Sequence, residues 1–190
     1  MRRIVLVLLG ISALGAGAWA DMRYEVIDLQ KRAVRLTYEI EDNKAGNQVF
    51  YFPTGGFIHD ASMGDIEVES VFDLSLKQEQ PYEMTQDKET GAPQIKITYS
   101  TPIPPGGKKR LQIAVKVHMP ESLLTFDSQG RYQFTYETSH AFEFIIPRNH
   151  CVVYTSHPVY IFEKGDKVFL QQMDKTLRKL VFQTRPARTP

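Results

Sequence analysis

After its first twenty residues this chain alternates apolar and polar side chains with a period of two, and that rhythm constrains its fold more than any other feature. In "AVRLTYEIED" (33–42), Val34, Leu36, Tyr38 and Ile40 alternate with Arg35, Thr37, Glu39 and Glu41. This is the pattern of a strand with one dry face and one wet face. "IEVESVF" (66–72) sets Ile66, Val68 and Phe72 against Glu67 and Glu69, and "QIKITYS" (94–100) sets Ile95, Ile97 and Tyr99 against Gln94, Lys96 and Thr98. "LQIAVKVHM" (111–119) aligns Leu111, Ile113, Val115, Val117 and Met119, and "RYQFTYE" (131–137) aligns Tyr132, Phe134 and Tyr136. A slip of one residue would turn each set into water, so every face is strongly specified.

Turn residues separate these runs at short intervals: "EDNKAGNQ" (41–48), "DKETGAP" (87–93), "PIPPGGKK" (102–109), "DSQGR" (127–131) and "EKGDK" (163–167). Short alternating strands between such turns predict an all-β, antiparallel sandwich of immunoglobulin-like kind. "LQQMDKTLRKL" (170–180) fits either period and is read as a turn followed by a strand. A break in composition at "MPESLLTFDSQG" (119–130) predicts two small packed sandwich modules, 21–120 and 121–190, over one large one. The second module ends in a short basic tail, "TRPARTP" (184–190).

The leader is a different object. Arg2 and Arg3 precede an apolar stretch from Ile4 to Leu14, and Ala18-Trp19-Ala20 forms an A-x-A cleavage signal. This predicts a cleaved signal peptide over residues 1–20, no transmembrane segment in the mature chain and a periplasmic or secreted destination. No cysteine lies near the cleavage point, which excludes a lipid anchor there. Without the leader the chain has 170 residues and a formal charge of −1, enough for a real core and with no basic footprint for nucleic acid. With Cys151 as its only cysteine it cannot form an internal disulfide, so the core alone must hold it.

"YSTPIPPGGKKRLQIAVKV" (99–117) reads as a strand, a proline-glycine loop and a long alternating strand, and "FEFIIPRNHCVVYTSHP" (142–158) follows it. This succession resembles exported or luminal tandem β-sandwich proteins, among them the luminal part of the ribophorin I family and bacterial exported domains of unknown function. The resemblance implies two packed sandwiches with a structural or partner-binding role, and no catalytic residues.

The strongest hint of a site is "SHAFEFIIPRNHCVVYTSHP" (139–158), which holds His140, His150, His157 and Cys151. Zinc needs three or four ligands converging on one point. His150 and Cys151 are neighbours, and adjacent strand residues point to opposite faces. The stretch is therefore read as two strands with polar turns, and neither a metal nor a cofactor is expected. Cys151 lacks an evident base and leads into Val152-Val153-Tyr154, as an inert thiol does.

"FYFPTGGFIHDAS" (50–62) is the best candidate for a binding surface, through Phe52, Gly55, Gly56, Phe57, His59 and Asp60. Glycine backbone can approach a ligand closely and aromatics can stack on it, although a core strand end followed by a diglycine turn explains the same residues. For sugars, Tyr24, Tyr51, Tyr82, Tyr99, Tyr154 and Tyr160 are the candidate platforms, because the only tryptophan, Trp19, lies in the leader. Glu67, Glu69, Glu79 and Glu83 read as solvent-facing strand positions, the acidic clusters at 39–43 and 87–89 as charged turns, and Lys108-Lys109-Arg110 as a solvated loop. The expected function is that of a non-enzymatic structural or partner-binding module of the cell envelope. Its expected partner is another envelope or extracellular protein. A carbohydrate- or lipid-binding module, and a hydrolase behind it, are the alternatives.

Overall fold

The computed structural model describes residues 22–54, 66–138, 141–173, 175, 176 and 178–187. Eight strands precede residue 120: β1 (Met22–Asp28), β2 (Ala33–Asp42), β3 (Val49–Pro53), β4 (Ile66–Asp73), β5 (Gln78–Glu79), β6 (Tyr82–Gln86), β7 (Pro93–Thr98) and β8 (Lys109–His118). Seven follow: β9 (Leu124–Phe126), β10 (Tyr132–Thr138), β11 (Phe142–Pro147), β12 (His150–Thr155), β13 (Tyr160–Lys164), β14 (Lys167–Gln172) and β15 (Arg178–Pro186). The described chain is all-β, as its alternation predicts.

One layer is an eight-stranded sheet in the order β13-β14-β11-β1-β2-β8-β4-β5. The other is made of two smaller sheets, β3-β7-β6 and β12-β15-β10-β9. The three-stranded sheet lies over β2, where Phe52 meets Tyr38 with ring centroids 5.0 Å apart. The four-stranded sheet lies over β1 and β11, where Phe144 meets Phe134 and Phe182 at 4.7 Å each. The expected module boundary near residue 120 falls between β8 and β9, but the large sheet crosses it. β1 pairs antiparallel with β2 on one side and parallel with β11 on the other. A single cluster of buried apolar residues runs from Val71 and Ile97 at one end to Phe144 and Leu170 at the other.

Most expected faces are where the alternation puts them. Leu111, Ile113, Val115, Val117 and Met119 are buried, as are Ile95, Ile97, Tyr99, Phe134 and Tyr136. In β4 the prediction fails after Val68. The pairing with β8 shifts between Val68 and Ser70, so Val71 enters the core in place of Phe72. A bulge inserts one residue and reverses the face of everything after it.

Two charged residues expected in solvent are also buried. Lys109 is the first inward position of β8, and its ammonium lies 3.4 Å from the buried carboxylate of Asp73 and over the Tyr99 ring. It is not part of a solvated loop: the strand's inward face begins at Lys109, two residues before its apolar run opens at Leu111. Asp42, read as a charged turn residue, is buried as well, accepting hydrogen bonds from the Tyr99 hydroxyl at 3.0 Å and the Asn47 amide at 2.6 Å. These partners supply the hydrogen bonds that a buried carboxylate requires.

Candidate functional site

The outer face of the large sheet changes character from end to end. One row of registered residues runs Phe162, Phe169, Ile145, Glu25, Arg35, Lys116 and Glu67 across β13, β14, β11, β1, β2, β8 and β4. Its second half is an ion-pair ladder. Arg35 bonds Glu25 at 3.0 Å and also Glu69, Lys167 bonds Glu25, and Lys116 bonds Glu67 at 2.9 Å. Burial pushes the Glu25 carboxyl up, but hydrogen bonds from Lys167 and Arg35 outweigh it and hold the group below its ordinary value. In the next row Glu143 accepts from Arg23 and from Gln171, each at 2.6 Å.

The first half of the row is apolar and ends in an open edge. Phe162 stacks on Phe169 with centroids 5.0 Å apart and planes 5° apart. β13 is the last strand of the sheet, and its outer three residues are exposed: Tyr160 by 71%, Ile161 by 49% and Phe162 by 40%. β12, an edge strand of the four-stranded sheet, exposes Val153 and Tyr154. Residues 156–159 join β12 to β13, so both edges lie on one side of the sandwich, one layer (about 10 Å) apart. Of ten large apolar side chains left exposed among the described residues, five belong to 153–162, a local patch rather than a scatter.

The sequence candidates fall elsewhere. Phe52 is 5% exposed and packs into the core, where it also lines a small hollow with Leu36, Tyr38, Thr54, Ile66, Val115 and Val117. Gly55, Gly56, Phe57, His59 and Asp60 lie outside the described residues, as does His140. His150 sets its ring against Tyr132 at 5.8 Å, and burial holds its imidazole below the ordinary histidine value. His157 bonds the Ser156 hydroxyl at 2.9 Å, and Cys151 stands opposite Arg185 in the ladder. Among the described residues no three His, Cys, Asp or Glu side chains are grouped to hold a metal. Of the six tyrosines, Tyr24 and Tyr99 are buried, while Tyr51, Tyr82, Tyr154 and Tyr160 are exposed.

Only Tyr160 of the β13 triplet stood out in the sequence, as an aromatic. The available signal was the run Tyr160-Ile161-Phe162, three apolar residues in a row where the alternation would place a polar one. Such a run marks a strand apolar on both faces, but not whether a neighbour covers it.

No protein-family model and no curated protein matches the sequence. Solved structures do match the fold. An M1 zinc metallopeptidase from Deinococcus radiodurans aligns with a TM-score of 0.53 at 12% identity, over 88% of this chain and 41% of that one. Native yeast LTA4 hydrolase aligns with a TM-score of 0.56 at 12% identity, over 90% of this chain and 29% of that one. The likeness is one of fold, and the chain spans less than half the length of either structure.

Proposed function

We propose that this is an exported, non-enzymatic β-sandwich protein of the cell envelope or its exterior, which recognises another polypeptide by adding it as a strand to the β13 edge. The observation that carries the reading is the exposure of Tyr160, Ile161 and Phe162 on a strand at the end of its sheet. An edge strand offers a row of unpaired backbone groups, and proteins ordinarily blunt such rows with charge, proline or brevity. Inside its apolar triplet β13 has none of these; its charges, Glu163 and Lys164, sit at one end. Backbone pairing supplies affinity in strand addition, and alternate side chains supply selectivity. Here Tyr160 and Phe162 would read one face of an incoming strand, and Ile161 the other.

The reading takes the fold of the peptidases without their chemistry. Its test is selection of random extended peptides on immobilised protein spanning residues 21–190. Recovery of alternating apolar peptides, lost on Ile161→Lys, is the expected result. Peptides that bind the Ile161→Lys variant equally well would refute the edge as the site. Turnover of an aminoacyl anilide by the purified protein would refute the non-enzymatic part.

A further inference from the structure

The strand that best fits the β13 edge is β13 itself, and we infer that two copies of this chain pair antiparallel through it. The inference rests on the edge reading above and names one occupant for it. The hairpin of β13 and β14 closes through Gly165-Asp166, with Lys164 opposite Lys167 and Gly165 at a φ of 63°. A two-residue loop of this kind closes on a hydrogen-bonded pair. The backbone groups of Lys164, Phe162 and Tyr160 therefore point to β14, and those of Ile161 and Glu163 point away from the sheet. The outward groups alternate, so a second β13 can pair with them only in registers that join odd-numbered residues to one another.

Side-chain chemistry then chooses among those registers. Centred on Glu163, the pairing would set two carboxylates face to face, which is destabilising. Centred on Phe162, it would set Glu163 against Ile161 and Lys164 against Tyr160. Centred on Ile161, it sets Ile161 against Ile161 of the second copy and Tyr160 against its Phe162, twice over. Glu163 and Lys164 then fall opposite Val159 and Pro158, at the two ends of the contact. The two Glu163 carboxylates stand about 13 Å apart along the strand, beyond the ~8 Å screening length of physiological salt.

The register centred on Ile161 also keeps faces matched. The two-fold axis runs through the sheet, so both ion-pair ladders lie on one side and both cores on the other. Such an interface is isologous and closes at two copies. Each Tyr160 joins a column with Phe162 of the second copy, which is itself stacked on Phe169. Val153 and Tyr154 on β12, one layer back on the same side, extend the contact beyond a five-residue strand. Stable association needs such an extension, on the order of 1,200 Å² in all.

The test is sedimentation of the 21–190 protein across the micromolar range, beside an Ile161→Lys variant and a cysteine cross-link. The wild type should sediment as a concentration-dependent dimer. Ile161→Lys places two ammonium groups opposite each other and should weaken self-association at least about tenfold, with circular dichroism unchanged as a control on folding. In a Cys151→Ser background, Ile161→Cys should oxidise to a disulfide-linked dimer, since opposed residues of a hydrogen-bonded pair have Cα atoms about 5.5 Å apart. Leu76→Cys, equally exposed by the opposite edge, should not. A wild type that stays monomeric, or a dimer that survives Ile161→Lys, overturns the inference. A monomer that still takes up an extended peptide at β13 overturns the second copy while leaving the edge reading in place.

Discussion

The eight-stranded sheet ends in two ways. At one end β5 is two residues long, Gln78-Glu79, polar and exposed, and it leaves the sheet at once. It is introduced by a tight turn in which Asp73 accepts the amides of Ser75 and Leu76 at 2.8 and 2.9 Å, and Lys77 takes a left-handed φ of 55°. At the other end β13 is five residues long, begins with three exposed apolar side chains and leaves one side unpaired among the described residues. Brevity and charge protect the first edge against stray pairing; on the second, charge is confined to Glu163 and Lys164 at one end and leaves the apolar triplet unguarded. No residue of β5 or β13 belongs to the buried core, so stability demands neither arrangement. The contrast locates a surface whose composition needs a reason outside the fold.

A loose end would give a trivial reason, and the largest prediction removes it. Phe144, on β11 two strands in from β13, touches Tyr24, Phe134 and Phe182. Phe144→Ala should cost about 4 kcal/mol in urea unfolding. A loss under about 1 kcal/mol would mean that this end is poorly packed and its exposure meaningless.

At the protected end, Asp73→Ala leaves the Lys109 ammonium buried without its carboxylate and frees two turn amides. The expected loss is about 3 kcal/mol, with faster hydrogen exchange at β5. An unchanged stability would show that Asp73 does not hold that edge.

Glu25 stands where the apolar and charged halves of the outer face meet. Its carboxyl is held below its unfolded value by Lys167 and Arg35, so it favours the fold fully above pH ~4.5, and that contribution is lost as pH falls through the lower folded pKa. Glu25→Gln should therefore reduce the melting temperature at neutral pH and flatten its fall below about pH 4.5. An unaltered acid limb would remove the ladder from the account of stability.

The smallest effect is the one that sharpens the comparison most. Ile161→Lys should change folding stability by no more than about 0.5 kcal/mol, because the side chain is half exposed and the variant resembles the lysine-guarded edges of other sheets. A large loss of stability would mean that Ile161 serves the core, and the contrast between the two edges would fail.

Residue patterning reveals faces but not neighbours, and this governs what could be foreseen. Leu111 to Met119 and Ile95 to Tyr99 were readable because each strand carries its own record of which side is dry. So was the separation of His150 from Cys151, a matter of pleat alone. The burial of Lys109 and Asp42 was not readable, because each depends on a partner strand or loop: Asp73 for one, Tyr99 and Asn47 for the other. Nor was the bulge beyond Val68, which a single strand's pattern does not encode. The triplet at 160–162 looked like any apolar strand start. It becomes a surface only because the sheet's order puts β13 last.

One pairing sets the tempo at which this molecule can be assembled. Met22 and Arg23 lie beside Phe142 and Glu143, partners 120 positions further along the polypeptide. Closing so large a loop forfeits much chain entropy before any contact rewards it, so chains rich in such remote contacts reach their native state slowly. β2, β4 and β8 can pair without β11, but β1 keeps one flank bare until β11 arrives. A nascent chain cut short of residue 142 would thus end its large sheet at β1, baring a strand that the full fold keeps inside.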